Sequence, residues 1–413
     1  MRSRPCSLPR LILLLALTPV ASATTWYVNG VGGNDSNNCL SATSACKTIG
    51  HAISLAASGD TIKIAAATYF EHLTINISVK LLGASASTSI IDGSGRTGTV
   101  VTTSSGTHVT LSGVTITHGY AVSGGGYAAS GGGISNYGTL LLTRSAVTGN
   151  RAGNSCGRNH GCVSYGGGIS NAGTLTISNS TIAGNFVGTN CPKYCYPGAQ
   201  GGGIYGGTVT ISNSTIAGNG ASTSCGLPCH PIVLGGGIYR ATVTISNSTI
   251  AGNFAAESCG LPSCYPPAEG GGIYGVTATI SNSTISGNAA NLVGGISAAA
   301  TLQNSIVANN SHGNCAAAVT SKGYNLSNDA TCNFTGPGDM NSINPMLGPL
   351  QANGGPTQTM ALLPGSPAID AGNPSGCTDG SGHLLKTDQR GKPRPDAEDT
   401  GGCDIGAYES QSD

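Results

Sequence analysis

The chain has 413 residues, of which 66 are Gly and only 8% are charged, with a formal net charge of zero. A neutral chain so poor in Lys and Arg excludes the basic face that nucleic acid or an acidic membrane surface requires. Its length is ample for a large core, and regular Ile/Val periodicity argues against disorder despite the glycine content.

Residues 1–23 read as a secretory signal. Arg2, Arg4 and Arg10 form the basic region, Leu11–Leu17 the apolar run, and Ala21-Ser22-Ala23 the cleavage site. The run is too short to cross a bilayer, and no second stretch is long enough. The chain ends at Asp413 without a hydrophobic or basic tail. A secreted protein, extracellular or associated with a bacterial cell surface, is expected, as a monomer without a membrane span.

Setting aside Cys6, fourteen cysteines remain, and they fall into local twos. These are Cys39/Cys46, Cys156/Cys162, Cys191/Cys195, Cys225/Cys229, Cys259/Cys264, Cys315/Cys332 and Cys377/Cys403. In an exported chain they predict disulfides. Four pairs fall in insertions between repeats, where each would staple a loop too long to hold its own shape. Pairing between neighbouring loops stays open.

Residues 24–119 are expected to hold an N-terminal cap and the first coils. Asn34-Asp35-Ser36-Asn37 offers oxygen ligands for calcium, though an Asx-turn explains it equally well with one carboxylate. His51–Ala57 is the one helical candidate, apolar at 52, 53, 55 and 56. Asp60 follows Gly59 as a turn residue. Strands are predicted over 73–77, 79–82, 89–91, 100–102 and 109–116. The blocks YVNGVGGNDSNNC, CKTI, GDTI and TYFE, in that order and spacing, resemble the start of bacterial pectate-lyase-like right-handed β-helix proteins. The resemblance implies a short capping helix ahead of the first coil, and right-handed coils.

Residues 120–310 repeat one phrase. TISNSTIAGN occupies Thr176–Asn185, Thr210–Asn219 and Thr244–Asn253, and TISNSTISGN occupies Thr279–Asn288. Glycine runs ending in Ile precede the later three copies, a looser copy spans Gly131–Asn150, and a trimmed one spans Gly294–Asn309. The closing Asn falls at 150, 185, 219, 253, 288 and 309, so the period is 34 or 35 until a last step of 21. A fixed period means stacked units. Apolar residues alternate with small polar ones, the pattern of half-buried strands, and about 21 residues fit three short strands with tight turns. The fold class is therefore all-β, a parallel β-solenoid with insertions on the longer repeats. Val209, Ile211 and Ile216 should stack on Val243, Ile245 and Ile250, and Asn213, Asn247 and Asn282 should form an inner ladder. The glycine-run and Asn pattern also resembles repeats of bacterial polymorphic outer-membrane proteins.

Polysaccharide chemistry on such a wall needs carboxylates about 5–10 Å apart for hydrolysis, or several around calcium for a lyase. Residues 131–310 contain no Asp, and their Glu residues are Glu257 and Glu269, both in one insertion. These are the candidates for flanking a sugar bond, with loop solubility as the plainer role. Tyr165, Tyr194, Tyr196 and Tyr265 lie in the insertions, where stacked along one edge they would offer aromatic faces to a sugar or a protein, or merely shield that edge.

In residues 311–413 Asp, Pro, Arg and Lys return. NPMLGPLQANGGPTQTMALLPGSPAIDAGNP, DQRGKPRP and CDIGAYE follow in order and closely resemble the choice-of-anchor Q segment that bacterial surface proteins carry behind a β-helix. The resemblance implies a C-terminal cap. Asp370, Asp388, Arg390, Asp404 and Glu409 lie in these blocks, where buried Asp–Arg pairing would hold an irregular cap together. Taken together, the sequence predicts a structural, adhesive or carbohydrate-binding β-helix without catalysis. Its partner would be an extracellular polysaccharide or a surface protein, with no cofactor beyond calcium. The alternative is a polysaccharide lyase or glycoside hydrolase.

Overall fold

The computed structural model describes residues 22–123, 128–156, 161–191, 196–226, 230–259, 266–316, 319–379, 382–397 and 402–411. The signal-like stretch lies outside them, apart from its last residues. The chain winds into a right-handed parallel β-helix with a helical cap at its start and an irregular cap at its end. Among the described residues, every strand pairing along the solenoid is parallel, and the one antiparallel pair of strands joins Leu347–Gln351 to Thr359–Leu362 in the cap.

One repeat shows how the sequence makes a coil. Ile204–Tyr205 and Thr208–Ser212 lie on one continuous wall, and Thr215–Ala217 lies on a second. Val209 pairs with Val243, Ile211 with Ile245 and Ile216 with Ile250, as the alternation predicts, and all six are buried. Each such branched side chain contributes about 1.5–3 kcal/mol by leaving water, so the columns rather than the turns hold the coils together.

The expected Asn ladder is present in part: Asn247 donates from Nδ2 to Asn213 Oδ1 at 2.9 Å, and Asn304 to Asn282 Oδ1 at 3.0 Å. Asn213, Asn247 and Asn282 have φ of 48°, 51° and 46°. They turn the chain in the left-handed region that Asn tolerates. A longer, continuous ladder is built by the closing Asn residues. Asn150, Asn185, Asn219, Asn253 and Asn288 each donate from Nδ2 to Oδ1 of the next, at 2.9–3.0 Å, ending on Asn310 and Asn314. The last repeat joins through Asn310, not Asn309, whose φ of 58° puts it where glycine stands in other coils. A parallel column of Ser hydroxyls accepts the backbone N–H of the preceding coil, Ser180 from Ser145 and Ser214 from Ser180 among them.

The first coil is closed by α1 (Ile49–Leu55), two residues earlier than predicted. Its start is fixed by Thr48, which caps His51 N–H, and by the Glu71 carboxylate, which accepts from the N–H groups of Ile49 and Gly50 at 2.8 and 2.7 Å. Asp60 accepts from Thr24 N, Trp26 Nε1 and Ala57 N, and Asp35 from Lys47 N and Thr48 N. The predicted strand over 109–116 is broken at Gly113, giving His108–Ser112 and Thr115–Thr117 on different walls.

The C-terminal segment does more than close the last coil. It folds back along the second wall, where Thr215 donates to Gln358 O, Thr249 to Gln389 Oε1, and Thr284 accepts from Ala407 N. Asn247 donates to Thr387 O, and Arg394 donates back to Asn247 Oδ1 at 2.9 Å. Two buried ion pairs knit the segment: Arg390–Asp388 at 2.7 Å and Arg394–Glu409 at 2.6 Å. Burial pushes the Glu409 carboxyl up to about 8, with Arg394 pulling it down and Asp404 adding to the rise. Asp404 accepts from the N–H groups of Asp370 and Ser410.

Candidate functional site: a projecting fin with two faces

The insertions are built of paired strands rather than loops. Each leaves the solenoid as a strand and returns as another, and the copies stack in parallel from coil to coil. The outgoing strands (Tyr120–Ser123, Arg151–Ser155, Phe186–Cys191, Gly220–Cys225 and Phe254–Cys259) make a five-stranded sheet. The returning strands (Ala129–Ser130, Cys162–Tyr165, Pro197–Gln200 and Ile232–Leu234) make a four-stranded one. Together they form a two-layered fin with its own small core, including Ala152, Val187, Ala199, Ala221 and Val233.

Glycine runs form its neck. A Cβ on Gly202 would lie 2.4 Å from Gly220 O and 2.5 Å from Gly236 O, so only glycine lets outgoing and returning backbones pass this closely. At the tip Cys156–Cys162 is bonded, and Cys191 and Cys225 are each in a disulfide. Their predicted partners Cys195 and Cys229, and Cys264, lie outside the described residues, and Cys259 ends the last outgoing strand. Elsewhere Cys39–Cys46, Cys315–Cys332 and Cys377–Cys403 are joined.

The structure does not bring the two candidate carboxylates onto one face. Glu257 lies in the register column of Thr189 and Thr223, facing into the fin, where its Oε2 accepts from Ala268 N at 2.8 Å. Thr189 bridges the same gap to Gly198 O. Glu269 follows the inward-facing Ala268 and leaves the opposite side, beside Ser297 and Tyr274 of the solenoid wall. Burial raises both carboxyls above their usual range, opposed at Glu257 by the Ala268 N–H and at Glu269 by the Ser297 hydroxyl. What they share is a role in seams between layers.

On that inner side Tyr165 meets three tyrosines of the solenoid wall. Its ring lies 4.4 Å from that of Tyr205, which stacks on Tyr239 at 5.5 Å, which stacks on Tyr274 at 5.5 Å. Stacked this way, the rings turn their faces to one another, and Tyr239 is only 7% exposed. The ladder seals the junction between fin and wall rather than offering a platform. Tyr196 is exposed near the tip and stacks on His230 at 5.7 Å. Tyr194 and Tyr265 lie outside the described residues.

The outer face of the five-stranded sheet is different. It bears an open groove of about 510 Å³. Along one side runs the column Tyr120, Arg151, Phe186, Gly220, Phe254. The floor is Val122, Gly153, Gly188 and Ser222, and the far side is Ser155, Asn190 and Ser224. The glycines decide how the rings lie. A Cβ at Gly188 would meet Phe186 Cε1 at 2.5 Å, and one at Gly220 would meet Phe254 Cζ at 2.2 Å. The two Phe rings therefore lie down on the sheet, with centroids 6.4 Å apart, and Tyr120 and Phe254 are 42% and 37% exposed. Arg151 stacks over Phe186, 4.8 Å from its centroid. None of these aromatic residues was singled out from sequence. The signal available was the position of Phe186 and Phe254, each one residue after a closing Asn.

No family model matches the chain, and no curated protein matches it. Among solved structures it is similar to the pectate lyase Pel9A, at 15% identity and a TM-score of 0.48, covering 95% of this chain and 97% of that one. It is also similar to XylC in complex with xylose, at 8% identity and a TM-score of 0.38, covering 94% and 98%. The pectin methylesterase PemA from Erwinia chrysanthemi follows at 13% identity and 0.34, covering 73% and 81%. The likeness is one of fold. Among the described residues, no helix is long and apolar enough to cross a membrane.

Proposed function

We propose that this is a secreted, non-catalytic β-helix that binds polysaccharide through the outer groove of its fin. The observation that carries the reading is the groove's chemistry: Tyr120 and the Arg151–Phe186 stack along one side, hydroxyls and an amide along the other, and no carboxylate among the described lining residues. Sugars stack their C–H faces on aromatic rings and satisfy their hydroxyls with such polar groups, and binding clefts combine these two kinds of surface. Export is supported by the signal-like residues 1–23 and by the disulfides, which persist in oxidising compartments. The terminal segment that resembles the choice-of-anchor Q module would display the solenoid at a cell surface.

A screen of the oxidised protein against plant and bacterial polysaccharides, recording both binding and new reducing or unsaturated ends, tests this. Retention on at least one polysaccharide without turnover is expected, lost in Phe186→Ala and kept in Glu257→Gln. Turnover abolished by Glu257→Gln or Glu269→Gln would overturn the non-catalytic reading.

A further inference from the structure

Away from the fin, on the first wall that carries Thr208–Ser212, we propose an ice-binding surface: an array of threonines that holds water in the spacing of the ice lattice. Two register columns make the array. Thr174, Thr208, Thr242 and Thr277 stand in one, and Thr176, Thr210, Thr244, Thr279 and Thr301 in the next. All alternate with buried Val, Leu, Ile or Ala, so their side chains leave the outer face, and the whole first column is exposed. Such a wall repeats by about 4.8 Å between coils and roughly 6.6 Å between outward residues of one strand, both within roughly a tenth of the oxygen repeats on a prism face of ice. A linear polymer lying on the wall would need one of these repeats. A crystal surface needs both.

The hydroxyls of this array are left to water, since among the described residues none of the nine bonds within the protein. The second wall is the contrast: there Thr215, Thr249 and Thr284 form an outward column whose hydroxyls are all taken by the terminal segment. Threonine columns on this solenoid are therefore docking rows, and those of the first wall face solvent. β-Branching fixes each Thr at χ1, so the hydroxyls stand in register at little entropic cost, with methyl groups between them. Charge is absent as well. An ion keeps a hydration shell of its own that fits no lattice, and ionisable side chains occur only beyond the ends, Lys80 and His108 at one and Lys322 at the other. A third column, Ser178, Ser212, Ser246 and Ser281, borders the threonines. Ser281 is 1% exposed, its Oγ has no partner among the described residues, and with Thr279 and Thr301 it lines a cleft of about 370 Å³. A buried hydroxyl of this kind calls for a held water, the same guest the array would order.

Partition of the full oxidised chain into slowly growing ice, together with recrystallisation of fine-grained ice in sucrose solution, tests this. The chain should enrich in the ice, where a non-binding protein of similar size stays in the liquid, and it should halt recrystallisation. Thr210→Lys and Thr242→Lys each set a hydrated cation in the array from an exposed position, one in each column. Each should raise the concentration that halts recrystallisation by about tenfold or more, with the melting temperature of the protein unchanged. Val31→Lys adds the same charge to an exposed residue of the N-terminal cap, and should leave both readouts as they are. Exclusion of the chain from ice, or enrichment that both Thr variants retain while folded, would overturn the proposal. So would retention on microcrystalline cellulose that both variants abolish, without enrichment in ice, since the face would then belong to a crystalline polymer.

Discussion

Asn219 sits between two copies of itself. Its Oδ1 accepts from the backbone and side-chain N–H groups of Asn185, and its Nδ2 donates to Asn253 Oδ1 and Ile182 O. Replacing it with Asp keeps the shape but removes two donors and buries a charge between amides. Asn219→Asp should therefore destabilise the solenoid at least as much as Asn219→Ala, by roughly 3 kcal/mol or more, read from denaturant unfolding. Glu409 offers a pH test. Its carboxyl is raised in the folded state from an ordinary 4.5 to about 8, so the stability it contributes is fully present below pH 4.5 and is lost as pH rises through 8. Glu409→Gln should flatten that decline in melting temperature. Asp60 works in the opposite sense. Burial raises its carboxyl, but the Trp26, Ala57 and Thr24 donors together outweigh this and hold it below 3.8, so its contribution is lost only as pH falls beneath that value. Which residues face inward was legible from the alternation of Ile211 and Ile216 with small polar neighbours. Which Asn makes the continuous ladder was not, because Asn213 and Asn219 recur with the same period and only the sign of φ separates them.

At the scale of the element, the fin departs most from what the sequence suggests. Its strands are short and rich in Ala, Gly, Ser and Thr, such as GASTSC at Gly220–Cys225, so they lack the Ile/Val signal of the solenoid walls. They form because insertions of nearly equal length arrive in register, and each strand's backbone groups find partners one coil above and below. The tip disulfides are thus accessories to a stack already held by pairing. Cys156→Ser with Cys162→Ser should leave glycan binding within about twofold and raise hydrogen exchange only near the tip. By contrast, Gly188→Ala changes one methyl group yet must lift the Phe186 ring. It should cost most of the affinity while shifting the melting temperature little, measured side by side on one preparation.

At the scale of the whole molecule, the terminal segment acts as a strap over several coils rather than a lid on one. Thr215, Thr249 and Thr284 are fully or almost fully buried beneath it, although their side chains leave the outer face of the wall. Its cohesion was partly legible: the blocks around Asp388 and Glu409 announced buried charge pairing, while the docking onto Asn247 could not be read because it joins residues 140 positions apart or more. Removing the guanidinium with Arg394→Met should cost roughly 3–5 kcal/mol, because Glu409 Oε2, Asn247 Oδ1, Gly406 O and Tyr408 O all lose a buried donor, and should appear as exposure of the second wall to proteolysis.

The neck glycines and the in-register fin have a genetic consequence. Each repeat carries its own segment of the fin, and the TISNSTIAGN and GGGI blocks that flank it recur almost unchanged. Unequal recombination between such copies would delete or duplicate whole units without disturbing the register of those that remain. Copy number would then act as a ruler, setting how long a polymer the surface can grip while its chemistry stays the same. Related strains differing in repeat count would be expected to differ in the chain length they retain, and not in the sugar they recognise.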